Sequence, residues 1–435
     1  MSRLQIIAVG VTFILNALDG FDVLSISFAS PGIAAEWGID RAALGIVLSM
    51  ELIGMAAGSI FLGGVADRIG RRNTMLGCLV TMAIGMFMVT TVRGLVDLSF
   101  WRVITGLGIG GMLACVNATA AEFSNAKRKH LCVSLMAIGY PLGVVFGGTI
   151  AAQLLKTQDW RSVFYLGATM TAVLIPVVYI LVPESVHWLA RKQPKGALEA
   201  INRTLARMGH AAVAALPPLD IESGKHRVSE IFSPALIATT IIVTMAYFLH
   251  VTTFYFIIKW VPKIVVDMGF APASAAGVLV WTNVGGATGG ALLGLLTLRY
   301  NVKALTIVVL VMSSIMIILF GRTPPDLDRL AVICAAAGFF TNAGIVGLYA
   351  IFAHAYPTQV RASGTGFAVG MGRGGAVLAP IIAGFLFEAG IDLPTVAIIM
   401  CTGSTIGAVV LGFLKVHPDE PGPATAKSGP GGSAS

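Results

Sequence analysis

The chain has 435 residues, of which 56% are apolar and only 11% are charged, with a mean hydropathy of +0.85. Soluble domains are about 25% charged and less than half apolar, so this composition excludes a water-soluble globular enzyme. The formal charge of +8 would suggest nucleic acid if it were clustered, but its distribution along the chain gives it another meaning.

Apolar runs of spanning length occupy residues 4–29, 42–66, 73–92, 95–122, 131–155, 162–182, 235–258, 274–298, 304–321, 330–353, 362–388 and 394–414. Each approaches the roughly 20 residues needed to cross the hydrocarbon core. The first run carries Asp19 and Asp22 and lacks a small-residue cleavage site, so it reads as a helix and not as a removable signal. The second holds Glu51 midway along it. The fourth holds Arg102, then Gly106, Gly108, Gly110 and Gly111. No strand precedes these glycines, so they predict close helix packing and not a phosphate-binding loop. The only long connection, 183–234, separates six spans from six. Within it Leu198, Ile201, Leu205 and Met208 share one face of a helix that Gly209 would end, and this helix is predicted to lie on the membrane surface. Residues 415–435 are rich in Pro, Gly and Ser and read as a disordered tail. The expected organisation is a six-helix half over 1–182, the central connection 183–234, a second six-helix half over 235–414, and the tail. The five cysteines are scattered, no metal-ligand cluster or Walker-type sequence is present, and no cofactor is expected.

Charge placement fixes the topology. With the termini, the central connection and alternate loops on one side, that side collects 19 of the 29 Lys and Arg residues, and the other side eight. Arg102 and Arg373 are left within spans. The basic side is cytoplasmic by the positive-inside rule, so the protein is expected to be multi-pass in the inner membrane with both termini inside. The excess charge is then a topology signal, and no nucleic-acid partner is required. Trp37, Trp101, Trp160 and Trp260 fall at the outer span ends, as an aromatic belt would.

The halves echo one another. Gly63-Gly-Val-Ala-Asp67-Arg68-Ile-Gly70-Arg71-Arg72 links the second and third spans, and Gly294-Leu-Leu-Thr-Leu298-Arg299-Tyr-Asn301-Val-Lys303 stands at the equivalent place later. Glu122 with Lys129 is matched by His354 with Arg361 at the same spacing. Such repeated halves are typical of carriers built around a central cavity.

The Gly63–Arg72 segment resembles the loop signature of the major facilitator superfamily, G-x-x-x-D-R-x-G-R-R. Arg102 to Gly111, Gly139-Tyr-Pro141 to Gly148, and Pro183-Glu184-Ser185-Val-His187-Trp188-Leu189 resemble its later motifs in order. Leu18-Asp19-Gly20-Phe21-Asp22, Asn117 to Glu122, and Tyr356-Pro357-Thr358 onward to Arg373 are similar to the aromatic acid:proton symporter branch. Lys259-Trp260-Val-Pro262 stands where that branch often has N-W-L-P, and Glu51 matches no branch position. The resemblance implies an all-α fold of twelve transmembrane helices in two pseudo-symmetric halves, transporting and not catalysing. It also implies a monomer.

Charged side chains at bilayer depth are costly and mark pathways. Asp19 and Asp22 are three apart and so project from one helical face toward a shared cavity. Mutual repulsion and burial both oppose double ionisation, which suits a reversible proton site; a helix-packing role is the alternative. Arg373 lies about 18 Å along its helix from Arg361, near mid-membrane, where its planar fork suits a substrate carboxylate. Arg102 reads as a partner for Asp19 or Asp22. Glu122, about 30 Å along the helix from Arg102, suits a bridge to Arg68, Arg71 or Arg72, with Asp67 ordering that loop and Gly63 and Gly70 shaping it. His354 and Arg361 read as gating residues of the second half. Lys259 reads as an outer-end residue that either attracts carboxylates or, more simply, snorkels. His250 reads as a packing residue with proton relay as the alternative, and Glu51 as a second candidate proton site. Phe21, Tyr140, Trp281 and Tyr349 are candidate walls for an aromatic ring. The expectation is proton-coupled uptake of a small aromatic carboxylate, with protons and the bilayer as the other partners and an aliphatic acid or dicarboxylate as the rival substrate.

Overall fold

The computed structural model describes residues 1–125, 129–217, 228–357 and 360–414. Lys127, Arg128, Thr358, residues 218–227 of the central connection and the whole 415–435 tail lie outside the described residues. Six long helices come first: α1 (Arg3–Trp37), α2 (Arg41–Ile69), α3 (Arg71–Val89), α4 (Leu95–Glu122), α5 (Lys129–Leu154) and α6 (Arg161–Leu181). Two short ones follow, α7 (Val186–Lys192) and α8 (Ala197–Met208). The second set of six is α9 (Ile237–Asp267), α10 (Pro272–Leu296), α11 (Val302–Arg322), α12 (Leu327–Ala355), α13 (Arg361–Glu388) and α14 (Leu393–Gly412). Twelve of the described helices are long and apolar enough to cross a membrane, and no strand occurs among the described residues.

Local chemistry sets the ends. Ser2 and Gln5 form a reciprocal capping box at the start of α1, and Asp40 accepts the Ala43 N–H at 2.6 Å to start α2. Gly209, in the left-handed region at φ 78°, ends α8 where the sequence predicts. Two helices outrun their apolar stretches: α1 continues to Trp37 and α9 to Asp267. The extra turns survive because their polar residues have partners. Glu36 takes both guanidinium nitrogens of Arg161, at 2.7 and 2.8 Å, and Lys263 pairs with Asp267. The extension of α9 puts Lys259 about 12 Å in from that helix's end instead of at the bilayer surface. Trp160 and Trp260 are likewise buried in protein, outside any lipid-facing belt.

Both halves contain seams where backbone meets backbone, and α1 also meets α5 this way at Gly20, Gly139 and Gly143. In the first, added Cβ atoms at Gly54 and Gly58 of α2 would strike the Val103 and Leu107 carbonyls of α4, and at Gly106 and Gly110 of α4 the Glu51 and Met55 carbonyls of α2. In the second, Gly285 and Gly289 of α10 abut Ala335 and Phe339 of α12, and Gly338 abuts Thr282. The high glycine content therefore serves close helix approach.

An even number of spans puts both termini on one face, and Lys303 at the start of α11 binds the Gly412 and Leu414 carbonyls there at 2.8 and 2.7 Å. The halves meet through α1 with α9, α2 with α13, and α5 with α10. Their described polar contacts sit toward the opposite face: Arg41 with Asp267 at 3.1 Å, the Arg41 N–H on Glu388 at 3.1 Å, and Ser49 on the Val377 carbonyl at 2.7 Å. The protein is thus closed on the face away from its termini.

Candidate functional site

Inside the first half, α1, α2 and α4 bring together Asp19, Asp22, Glu51 and Arg102, all fully buried. The Arg102 guanidinium pairs with the Glu51 carboxylate, donates to the Asp22 main-chain carbonyl at 3.1 Å, and lies 5.4 Å from the centre of the Phe164 ring. The expected pairing of Arg102 with an Asp19 or Asp22 side chain is therefore replaced by Glu51, a residue of the helix seamed to its own. Glu51 and Arg102 lie at matching depths, about 15 and 10 Å from the starts of α2 and α4, so the seam brings them into register. The Asp22 carboxyl instead faces α6, where Thr171 donates to it at 3.5 Å. Both Asp19 carboxyl oxygens are sealed from solvent with no hydrogen-bond partner among the described residues. The two acids face the core of the first half and not an open cavity.

A second polar group lies between the halves. Tyr247 and Tyr255 of α9, two turns apart, and Tyr140 of α5 lie within electrostatic reach of Arg373 on α13, and Tyr255 is in hydrogen-bonding reach of Tyr140. The Tyr247 and Tyr349 hydroxyls are 3.1 Å apart. Tyr140 also borders a narrow cleft with Phe254, Thr282, Asn283 and Asn342, where α5, α9, α10 and α12 converge. Arg373 is half-buried and forms no ion pair among the described residues. An unpaired guanidinium among phenols at this depth is a ready receptor for an anion.

Of the proposed ring walls, Tyr140 and Tyr349 belong to this group. Phe21 does not: it is 1% exposed and packs on Phe28 and against Gly147 within the first half. Trp281 does not either. It is 54% exposed and shares an outward stripe of α10 with Thr288, Leu292 and Leu295, one residue out of register with Thr282 and Asn283. Tyr247 and Tyr255 escape the sequence reading, although their i, i+8 spacing on one helical face is the signal that would have found them.

Lys259 is fully buried and neither snorkels nor offers itself to solvent. Its ammonium donates to the Val23 carbonyl at 2.5 Å and lies 3.7 Å from Glu51. The two positions that fall outside the branch pattern are thus neighbours. His250 lies between the Ser404 hydroxyl at 2.7 Å and the Thr341 carbonyl at 2.8 Å, joining α9, α14 and α12 as a satisfied packing residue.

On the terminal face, the loop between α2 and α3 is held by acids from elsewhere in the first half. Gly70 adopts φ 99°, and the Glu184 carboxylate sits against it, accepting the Arg71 N–H at 2.8 Å and the Arg72 N–H at 3.3 Å at the start of α3. Glu122 pairs with Arg71 at 3.0 Å and accepts the Ser185 hydroxyl. Arg72 stacks 4.8 Å over Tyr179, and Trp188 donates to the Asp67 carbonyl at 3.1 Å. Arg68 is exposed, and Gly63 has open space around it. In the second half, His354 bonds the Ala350 carbonyl of its own helix and Arg361 the Tyr356 carbonyl, so among the described residues the echo in sequence carries no matching network.

The pattern of the Major Facilitator Superfamily matches residues 12–334 and again 243–435. The gallate transporter of Pseudomonas putida is 28% identical over 385 residues, covering 88% of this chain and 85% of its own. The 4-hydroxybenzoate transporter PcaK of Pseudomonas putida is 28% identical over 428 residues, covering 96% and 95%. The crystal structure of a D-xylose-proton symporter superposes with a TM-score of 0.72 over 96% of this chain and 99% of its own at 17% identity, a likeness of fold alone. With twelve spanning helices in two seamed halves and a family match along nearly its whole length, the chain belongs to the Major Facilitator Superfamily and is a multi-pass membrane transporter, not an enzyme.

Proposed function

We propose that this transporter moves an aromatic carboxylate into the cell together with a proton, as a monomer in the inner membrane with both termini in the cytoplasm. The observation that carries the reading is Arg373, a guanidinium without an ion pair among the described residues, between the halves and within electrostatic reach of Tyr140, Tyr247 and Tyr255, with Tyr349 bonded to Tyr247 beyond them. The guanidinium supplies a planar fork for the carboxylate, and the phenol faces supply ring contacts, so charge and ring are recognised side by side. Names of relatives such as the gallate and 4-hydroxybenzoate transporters support the aromatic class. Under this topology the described arrangement is the one closed to the outside.

The proton is assigned to Asp19 and Asp22. An ionised Asp19 would be an uncompensated buried charge, so proton binding there removes a penalty that the surrounding helices do not offset. Reorientation of the halves in the loaded, neutral state would deliver both to the cytoplasm.

The test is uptake of labelled hydroxybenzoate-type acids into proteoliposomes, with and without an inward proton gradient. Accumulation only with the gradient, competed by other aromatic acids and lost in Asp19→Asn or Asp22→Asn, supports the reading. Gradient-driven accumulation retained in both variants removes the acids from proton coupling. Absence of aromatic uptake by folded protein transfers the site to aliphatic acids.

A further inference from the structure

Lys259 is the one described cation that the second half inserts, fully buried, into the charged core of the first. Its acceptors both lie across the interface: the Val23 carbonyl on α1 and the Glu51 carboxylate on α2. Glu51 has a second partner, Arg102, inside its own half. The two cations therefore differ in what happens when the halves part. Arg102 and Glu51 ride on seamed helices and stay together. Lys259 would leave both acceptors at once and have to find others.

We infer that Lys259 is a tether between the halves, that its bond to Val23 and Glu51 holds the protein closed on the face away from the termini, and that Glu51 is its anchor. The remaining polar contacts across that face are weaker candidates. The Arg41–Asp267 pair is 43% and 30% exposed and the Arg41 N–H bond to Glu388 is exposed too, so water and salt screen both, and the Ser49 bond is between neutral groups. Lys259 is thus a positioning residue: it touches no substrate-facing group of the Arg373 site and acts by setting which face is open.

The test measures conformation in the absence of substrate, so its outcome is separate from the identity of the transported acid. Spin labels go on Arg93→Cys and Arg322→Cys, both exposed on the closed face, and in a second sample on Asn73→Cys and Arg299→Cys on the terminal face. The five native cysteines are buried and serve as the background control. Pulsed dipolar distances in Lys259→Met are expected to move from short to long on the first face and from long to short on the second, with the ratio of the two populations changing about tenfold. Glu51→Gln should shift both distances in the same directions, and the double variant should add nothing. Lys259→Gln, which keeps a donor for Val23 and removes only the charge, carries the same test should the Met variant not accumulate. Unchanged distances in a folded variant overturn the tether, because a residue serving packing alone would change the melting temperature without reciprocal movement at the two faces. Additive shifts in the double variant overturn Glu51 as the anchor.

Discussion

Arg102 and Arg373 stand along the spans of opposite halves, and their surroundings differ in kind. Arg102 is enclosed by Glu51, the Asp22 carbonyl and the Phe164 ring, with no solvent exposure. Arg373 is half-buried within electrostatic reach of three phenols and has no carboxylate partner among the described residues. The same side chain is therefore internally compensated in one half and uncompensated among the described residues in the other. The neighbouring polar groups follow suit: the first half buries acids, while the second buries a doubly hydrogen-bonded His250 and hydroxyls. The buried acids and the phenols near Arg373 are thus grouped apart, and Lys259 reaches from the second half to the acids.

The sharpest way to break this comparison is to replace each arginine by methionine. Arg102→Met leaves Glu51 buried with only the longer Lys259 contact at 3.7 Å, and breaking such a buried pair costs about 3–5 kcal/mol. We expect a large loss of melting temperature and of folded protein by size-exclusion chromatography. Arg373→Met should leave melting nearly unchanged yet lower the uptake efficiency for the acid substrate about 100-fold, or about 2.7 kcal/mol of binding, measured as initial rate against concentration. If both variants lose stability alike, Arg373 has a structural partner and the distinction fails. His250→Leu removes the bonds to the Ser404 hydroxyl and the Thr341 carbonyl, at about 1–3 kcal/mol for a buried group left unpaired, and should lower melting with little effect on the substrate concentration giving half-maximal uptake. Tyr247→Phe removes one hydrogen bond to Tyr349, about 0.5–1.5 kcal/mol, and is expected to raise that concentration modestly at unchanged melting.

Much of this was legible in the sequence, and the failures have physical causes. Apolar run length located all twelve spans, because a bilayer demands it of every helix. The Glu122 bridge was expected among three arginines, and the structure selects Arg71; the acid at the helix start, Glu184, lay in a quoted motif but its reach to Gly70 depends on how α6 returns to the loop. Lys259 was misplaced because the hydropathy of α9 falls before the helix does. Composition marks Phe21 and Trp281 as aromatic but does not decide which way they face: a shift of one residue on α10, from Trp281 to Thr282, separates the outward stripe from the cleft. The partner of Arg102 was recoverable from depth along two helices that run the same way, had Glu51 and Arg102 been measured from their helix starts.

The glycine seams have a mechanical consequence. Where α2 lies on α4 and α10 on α12, carbonyl meets Cα, and there are no intervening rotamers to reset. Such a pair cannot yield by degrees, so each moves as a single stiff plank. The same close approach crosses between the halves at Gly45 with Pro380 and at Gly384 with Arg41. Compliance is then left to pairs that touch through longer side chains, such as α1 with α9, and any motion of the halves is directed into those layers.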